Sequence, residues 1–190
     1  MGFKIESRQL GEIVVLVPDT YEDERGFFME TYRADQFQKL GLPHEFVQDN
    51  QSRSRRGVLR GLHFQYDPAL GKLMRVASGR AFLVAVDIRK GSPTLGQWFG
   101  LEVSDSNRRQ VWAPPGFARG IYVVSDTADI QYKCTALYNP STESIIRWDD
   151  PQIGIQWPGS NPILSPKDRT AGTLADWLAS PASEFLRYRP

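Results

Sequence analysis

The stretch Gly57–Gln65, GVLRGLHFQ, decides how this chain is read. In an extended strand successive side chains point to opposite faces. That alternation places Leu59, Gly61 and His63 on one face and Val58, Arg60, Leu62 and Phe64 on the other. A simple core strand does not carry a histidine, an arginine and two glycines, and Gly57 and Gly61 weaken a strand unless a bulge or a close-approaching group needs the room. His63 is therefore a candidate catalytic base. The competing reading is a half-buried histidine satisfied by a backbone carbonyl. Arg60 stands mid-strand between apolar neighbours, where an unpaired charge is costly, so it needs solvent, a carboxylate or a ligand phosphate.

Working outward, the chain is a series of short β-branched and aromatic runs punctuated by Gly, Pro, Asp and Asn. Strands are expected at Glu12 to Val17, Phe27 to Tyr32, Glu45 to Asp49, Val58 to Phe64, Leu73 to Ser78, Arg80 to Ile88, Gln97 to Val103, Arg109 to Ala113, Arg119 to Ser125, Ile130 to Leu137 and Ser144 to Trp148. Helices are expected only at Ala34 to Leu40, stopped by Gly41, and at Thr173 to Ala179. Many short strands predict an all-β, antiparallel sandwich or jelly roll. No composition shift divides residues 1–190. One domain is expected, with a core over about 12–150 and a C-terminal extension over 151–190.

Composition removes several functions. With 23 basic and 22 acidic residues the net charge is +1, which gives no field to attract nucleic acid or an anionic membrane. A lone cysteine, Cys134, excludes an internal disulfide and a cysteine-rich zinc site. The opening MGFKIESRQLGE lacks a signal-peptide core and runs such as AFLVAV are too short to cross a bilayer, so a cytoplasmic protein is expected. Only His44 and His63 could supply imidazoles, and His44 lies in loop-like GLPHEF, so no metal is expected. Phosphate-cradling loops and nucleophile turns are absent from the sequence. Acid–base chemistry remains, with His63, several tyrosines, and the cations Arg25, Arg60, Lys72 and Lys167 as its candidates. Each of those cations also has a plain reading as a solvated charge at a barrel rim.

The segments DERGFFMETY, FVQDNQSRSRRGVLRGLHFQ, GKLMRV, VAVDIRKGSPTLGQW, PPGFARG, QYKCTALYNP, WDDPQIGIQWP and LSPKD, in this order, resemble the dTDP-4-dehydrorhamnose 3,5-epimerase family over nearly the whole chain. The resemblance implies a cupin-type jelly roll without metal or other cofactor. It implies a homodimer, and epimerisation of a dTDP-4-keto-6-deoxy sugar on the way to dTDP-L-rhamnose. It also implies roles: His63 as base, Asp168 as the group that orients it, Tyr132 as proton donor, and Lys72 facing the enolate oxygen. Arg25, Glu30, Gln48, Asn50, Arg60, Glu143 and Lys167 would meet the nucleotide diphosphate or the sugar, with Phe28 and Tyr138 as apolar walls.

One departure stands out, because the family's GFAHG reads Gly116–Gly120, GFARG, here. Arg119 replaces a substrate-contacting histidine with a side chain that cannot accept a proton. Inversion of one centre, at carbon 3 or carbon 5, therefore stands beside inversion of both. A 3,4-ketoisomerase and a non-catalytic sugar-binding jelly roll also stay open at this point.

Overall fold

The structure is a computed structural model that describes residues 2–189. Its strands, in chain order, are β1 (Phe3–Gln9), β2 (Ile13–Pro18), β3 (Thr20–Asp23), β4 (Gly26–Met29), β5 (Gln48–Arg55), β6 (Leu59–Gln65), β7 (Lys72–Ser78), β8 (Arg80–Asp87), β9 (Trp98–Ser104), β10 (Gln110–Ala113), β11 (Phe117–Val123), β12 (Thr127–Cys134) and β13 (Glu143–Ile145). Helices are short: α1 (Ala34–Lys39), α2 (Pro166–Arg169), α3 (Leu174–Ala179) and a 3₁₀ segment, Pro181–Leu186. Two antiparallel sheets face each other, ordered β1-β2-β10-β7-β12-β5 and β13-β6-β11-β8-β9, while β3 and β4 form a separate hairpin. This is a jelly roll.

Three apolar clusters hold the layers. Met74, Val76, Leu83, Ala85, Phe117 and Ile130 interdigitate between the sheets. Each large side chain removed from water there stabilises the fold by about 1.5–3 kcal/mol. β2 reads IVVLVP without alternation because both its faces are covered: Ile13 joins the inter-sheet core, whereas Val14 and Leu16 pack outward on Phe37 of α1 and on Leu42 and Trp112. The third cluster joins Leu62, Phe64, Val84 and Val86 to Leu174, Trp177 and Leu186, so the C-terminal segment covers the outer face of the five-stranded sheet.

The alternation expected through β6 fails at its centre. In the pairing of β11 with β6, Arg119 lies opposite His63 and Ile121 lies opposite Arg60, so Gly61 and Leu62 together oppose Gly120 alone. Such a bulge shifts the face on which later side chains emerge. Arg60 and His63 therefore share the inner face with Arg119 and Ile121, and Leu62 and Phe64 turn outward. Gly61 permits it. Its φ is +144°, and a Cβ there would lie 2.6 Å from the Cα of Gly120.

Other expectations are corrected by burial. The run Glu45 to Asp49 is displaced to β5, QDNQSRSR, an edge strand whose inner face (Gln48, Asn50, Ser52, Ser54) is polar and so lacks the apolar alternation that marks a core strand. Phe27 to Tyr32 shortens to the four residues of β4, and Ser144 to Trp148 shortens to β13. β1, β3, α2 and the 3₁₀ segment escaped the sequence reading. β1 also extends the core N-terminal to residue 12, and it makes β2 an internal strand, so the edges of the larger sheet are β1 and β5.

Gly61→Ala is expected to destabilise the protein by about 1–3 kcal/mol through clash and positive φ, with an unchanged denaturant slope in urea unfolding. A neutral effect would mean that the bulge does not depend on glycine.

Candidate active site

The inner faces of the two sheets meet in a mouth at one end of the jelly roll. From the five-stranded sheet come Arg60, His63 and Arg119. From the six-stranded sheet come Lys72 on β7, Tyr132 and Cys134 on β12, and Gln48 and Asn50 on β5; the register pairs Cys134 with Lys72 and Gln48, and Tyr132 with Met74 and Asn50. His63 and Tyr132 thus approach the space between the sheets from opposite sides.

Asp168 reaches His63 because the C-terminal segment returns alongside β6. Val58 bridges to Ile163, and the N–H of Leu59 donates to the carbonyl of Ile163 at 3.1 Å. Ser165 then caps α2, accepting the Asp168 backbone N–H at 3.2 Å while its hydroxyl donates to the Asp168 carboxylate at 2.7 Å. The other carboxylate oxygen lies 2.6 Å from Nε2 of His63 and 3.4 Å from the backbone N–H of Gly61. Burial pushes the Asp168 carboxyl up, yet the hydrogen bonds from His63 and Ser165 outweigh it and hold it below the usual carboxylate range. An ionised carboxylate only accepts, so Nε2 of His63 carries the proton and Nδ1 keeps its lone pair. His63 remains about 30% exposed beside an Asp168 that is 2% exposed.

Around this pair the cations are poorly matched with acids. The Lys72 ammonium sits 4.5 Å from the centre of the Tyr132 ring, and burial, with Arg119 nearby, lowers its pKa to about 8. Arg119 is 4% exposed and donates to the carbonyl of Leu70 at 2.9 Å; burial lowers it to about 10, so it remains a cation at neutral pH. Arg60 donates to the Ser54 hydroxyl at 3.0 Å. Burial raises the Tyr132 phenol, which keeps it protonated and able to donate.

At the rim Tyr138 donates from its hydroxyl to Glu143 at 3.0 Å, and Lys167 reaches the same carboxylate oxygen at 3.2 Å. Gln48 accepts the Tyr138 backbone N–H at 2.8 Å and donates to Asn50 at 3.1 Å. The structure therefore gathers His63, Lys72, Tyr132, Asp168, Gln48, Asn50, Arg60, Arg119, Tyr138, Glu143 and Lys167. It gives Arg25, Phe28 and Glu30 no hydrogen bond or ion pair to that cluster among the described residues. Arg25 is 85% exposed and pairs with Asp23 on the β3–β4 hairpin, Phe28 is 59% exposed, and Glu30 lies beside Arg33. That hairpin is pinned near the start of β10 by Arg108, which pairs with Glu22 and covers Phe27, whereas the far end of β10, at Ala113, pairs with Lys72.

Sequence reasoning missed three supporting residues. Ser165 was detectable, since a serine three residues before an aspartate is a helix-capping pattern. Ser54 carried no signal. Gln65, buried at 4%, accepts from the Asn139 N–H and donates to the carbonyls of Pro68 and Leu137, which fixes the loop bearing Tyr138.

Fold and geometry together define a cupin-type jelly roll with an acid–base cluster in its mouth. The family model described as dTDP-4-dehydrorhamnose 3,5-epimerase matches residues 7–176. A protein of that name from Methanothermobacter thermautotrophicus is 51% identical over 170 residues, 88% of this chain and 92% of the relative. The crystal structure of dTDP-6-deoxy-D-glucose-3,5-epimerase from Legionella pneumophila in complex with dTDP-4-keto-L-rhamnose superposes with a TM-score of 0.93 at 49% identity, covering 99% of this chain and all of the other. A dTDP-4-dehydrorhamnose 3-epimerase from Streptomyces niveus is 39% identical over 163 residues, 85% of this chain and 79% of the relative. The chain belongs to the dTDP-4-dehydrorhamnose 3,5-epimerase family.

The lowered Lys72 pKa has a signed consequence for stability. Between about pH 8, where the folded lysine loses its proton, and 10.5, where an ordinary lysine does, the unfolded chain binds more protons, so this group adds stability as pH rises. Cys134 and Tyr132, both raised, act in the opposite sense, and loss of Lys72 raises Cys134 further, so in the comparison with Lys72→Met both contributions favour wild type as pH rises. Urea unfolding should show wild type gaining on Lys72→Met from pH 8 to 10. A constant difference would contradict the burial of that charge.

Proposed function

We propose that this chain is a cofactor-independent epimerase that acts on a dTDP-4-keto-6-deoxy-hexose, inverting carbon 3, carbon 5 or both on the route to dTDP-L-rhamnose. The observation that carries the reading is the placement of His63 and Tyr132 on the inner faces of opposed sheets, with Asp168 holding the imidazole. The ketone at carbon 4 acidifies the protons on carbons 3 and 5. His63, its Nδ1 free, removes one of them, and Asp168 stabilises the imidazolium that forms. Tyr132 returns a proton to the opposite face. Lys72 faces the oxygen whose charge grows only as the proton leaves, which is where stabilisation speeds a reaction. Arg60, Gln48, Asn50 and Lys167 surround the nucleotide-sugar, and Tyr138 and Glu143 close the rim.

In this reading residues 1–190 work as one domain, in the cytoplasm, where a thiol such as the free Cys134 stays reduced. Among the described residues no helix is long and apolar enough to cross a membrane. Arg119 favours unequal inversion of the two centres, because a guanidinium fixed to the Leu70 carbonyl occupies space that the family's histidine leaves to sugar or water.

Arg25, Phe28 and Glu30 enter the reading through a second copy. None of them bonds to the cluster of its own chain, and the hairpin exposes Tyr21, Phe27 and Phe28. A homodimer in which each hairpin completes the partner's mouth uses both facts.

Incubation of the keto sugar in heavy water, followed by proton NMR, tests the chemistry. Wild type should place deuterium at carbon 3, carbon 5 or both with inversion, a ketoisomerase would move the carbonyl, and a binding module would leave the sugar unchanged. His63→Asn should lose roughly a hundred- to ten-thousand-fold in wash-in while still binding dTDP. Tyr132→Phe should retain exchange yet suppress inverted product; equal loss of both would assign Tyr132 to positioning instead.

The dimer is tested by complementation. His63→Asn and Arg25→Ala, each impaired alone, should regain activity when mixed and refolded together, since one of the two shared mouths is then intact. A monomeric mass in sedimentation at micromolar concentration, with no recovery on mixing, would contradict it.

A further inference from the structure

Behind His63 lies a small cavity of about 30 Å³, lined among others by Leu70, Lys72, Arg119 and Glu143. It has room for one or two water-sized guests. Its walls hold an excess of positive charge. Arg119 is almost wholly buried and spends one amine on the Leu70 carbonyl, while its Nε is buried without a hydrogen-bond partner. Lys72 makes no hydrogen bond and no ion pair with a described residue; its ammonium rests on the Tyr132 ring. The nearby acids are engaged elsewhere: Glu143 with Tyr138 and Lys167, Asp168 with His63 and Ser165. Two cations face one hollow with a single carboxylate, Glu143, on its wall, and that acid is already bonded to Tyr138 and Lys167, so the burial of the cations is only partly offset.

We infer that the hollow between Lys72 and Arg119 is a binding site for one small monovalent anion of halide size, occupied while no sugar is bound, from which the enolate oxygen of the substrate displaces the ion. The first half rests on the cavity and the two cations; the second rests also on the epimerase reading. Charge and size both suit a halide, since the hollow has room for a guest of one or two waters' size and a neutral guest would leave the cations in excess. The site follows from Arg119 in particular. A neutral histidine in its place would leave Lys72 as the main cation on the wall. Lys72 is faced by Arg119 from β11, Tyr132 and Cys134 from β12, His63 from β6 and Glu143 from β13. Anion binding should therefore weaken as pH climbs past about 8, where Lys72 gives up its proton.

The experiment uses the intact, sugar-free protein with chloride as probe and gluconate to hold ionic strength constant. Chloride NMR should show saturable line broadening that the protein loses on addition of the dTDP-sugar. Arg119→Gln and Lys72→Gln, each verified as folded by circular dichroism, should each weaken chloride binding by about tenfold or more. Bromide soaked into crystals should give an anomalous peak between the Lys72 ammonium and the Arg119 guanidinium. Absence of saturable broadening, or wild-type affinity in both variants, overturns the site even if epimerisation is intact. Saturable binding that the sugar does not compete away overturns the displacement and leaves an ion site unconnected with the reaction.

Discussion

The contact on which the mouth depends is the 2.6 Å hydrogen bond between Nε2 of His63 and the Asp168 carboxylate. It joins residues 105 positions apart, so it exists only if two separate pieces of backbone are placed correctly. One is the bulge at Gly61, which turns His63 to the inner face with Arg60. The other is the return of the C-terminal segment along β6, where Ser165 fixes the carboxylate. The cost of burying Asp168 is met by donors from His63, Ser165 and Gly61. Once that carboxylate is ionised, the tautomer of the imidazole is settled.

The chemistry around the pair follows from the two-sheet architecture. A base on one sheet and a phenol on the other can address opposite faces of a flat intermediate held between them, which is what inversion of a stereocentre needs. A rigid, apolar inter-sheet core keeps those sheets at fixed separation while only the mouth is polar. Burial works on the polar groups there with opposite signs, lowering Lys72 and Arg119 and raising Tyr132 and Cys134. The result is a mouth with surplus positive charge, suited to an oxyanion that exists only during turnover.

Much of this was legible in the residues, and the parts that were not share a physical cause. β7, β9 and β12 announce themselves because one face meets the core and alternation survives, and β8 because both faces are covered, which makes it an unbroken apolar run. β5 did not, because its inner side chains are polar and half-buried instead of packed in the core. The GLHF stretch drew notice through a histidine among apolar neighbours, but its simple alternation misassigned Arg60, since a bulge is set by pairing with β11 and leaves only a glycine as its trace. Asp168 came from the family resemblance, and periodicity could not have found it, because α2 is four residues long. That Arg25, Phe28 and Glu30 make no bond to this cluster is a matter of tertiary arrangement that no local pattern encodes.

The central claim is that Asp168 accepts the Nε2 proton of His63 and leaves Nδ1 as the base. Long-range proton–nitrogen correlation NMR on selectively labelled histidine measures this without turnover, with His63→Asn identifying the signal. The account predicts a protonated, pyrrole-type Nε2 and an unprotonated, pyridine-type Nδ1 at pH above the imidazole pKa, with both shifts altered in Asp168→Asn. A protonated Nδ1, or a His63 tautomer indifferent to loss of the Asp168 carboxylate, would contradict it.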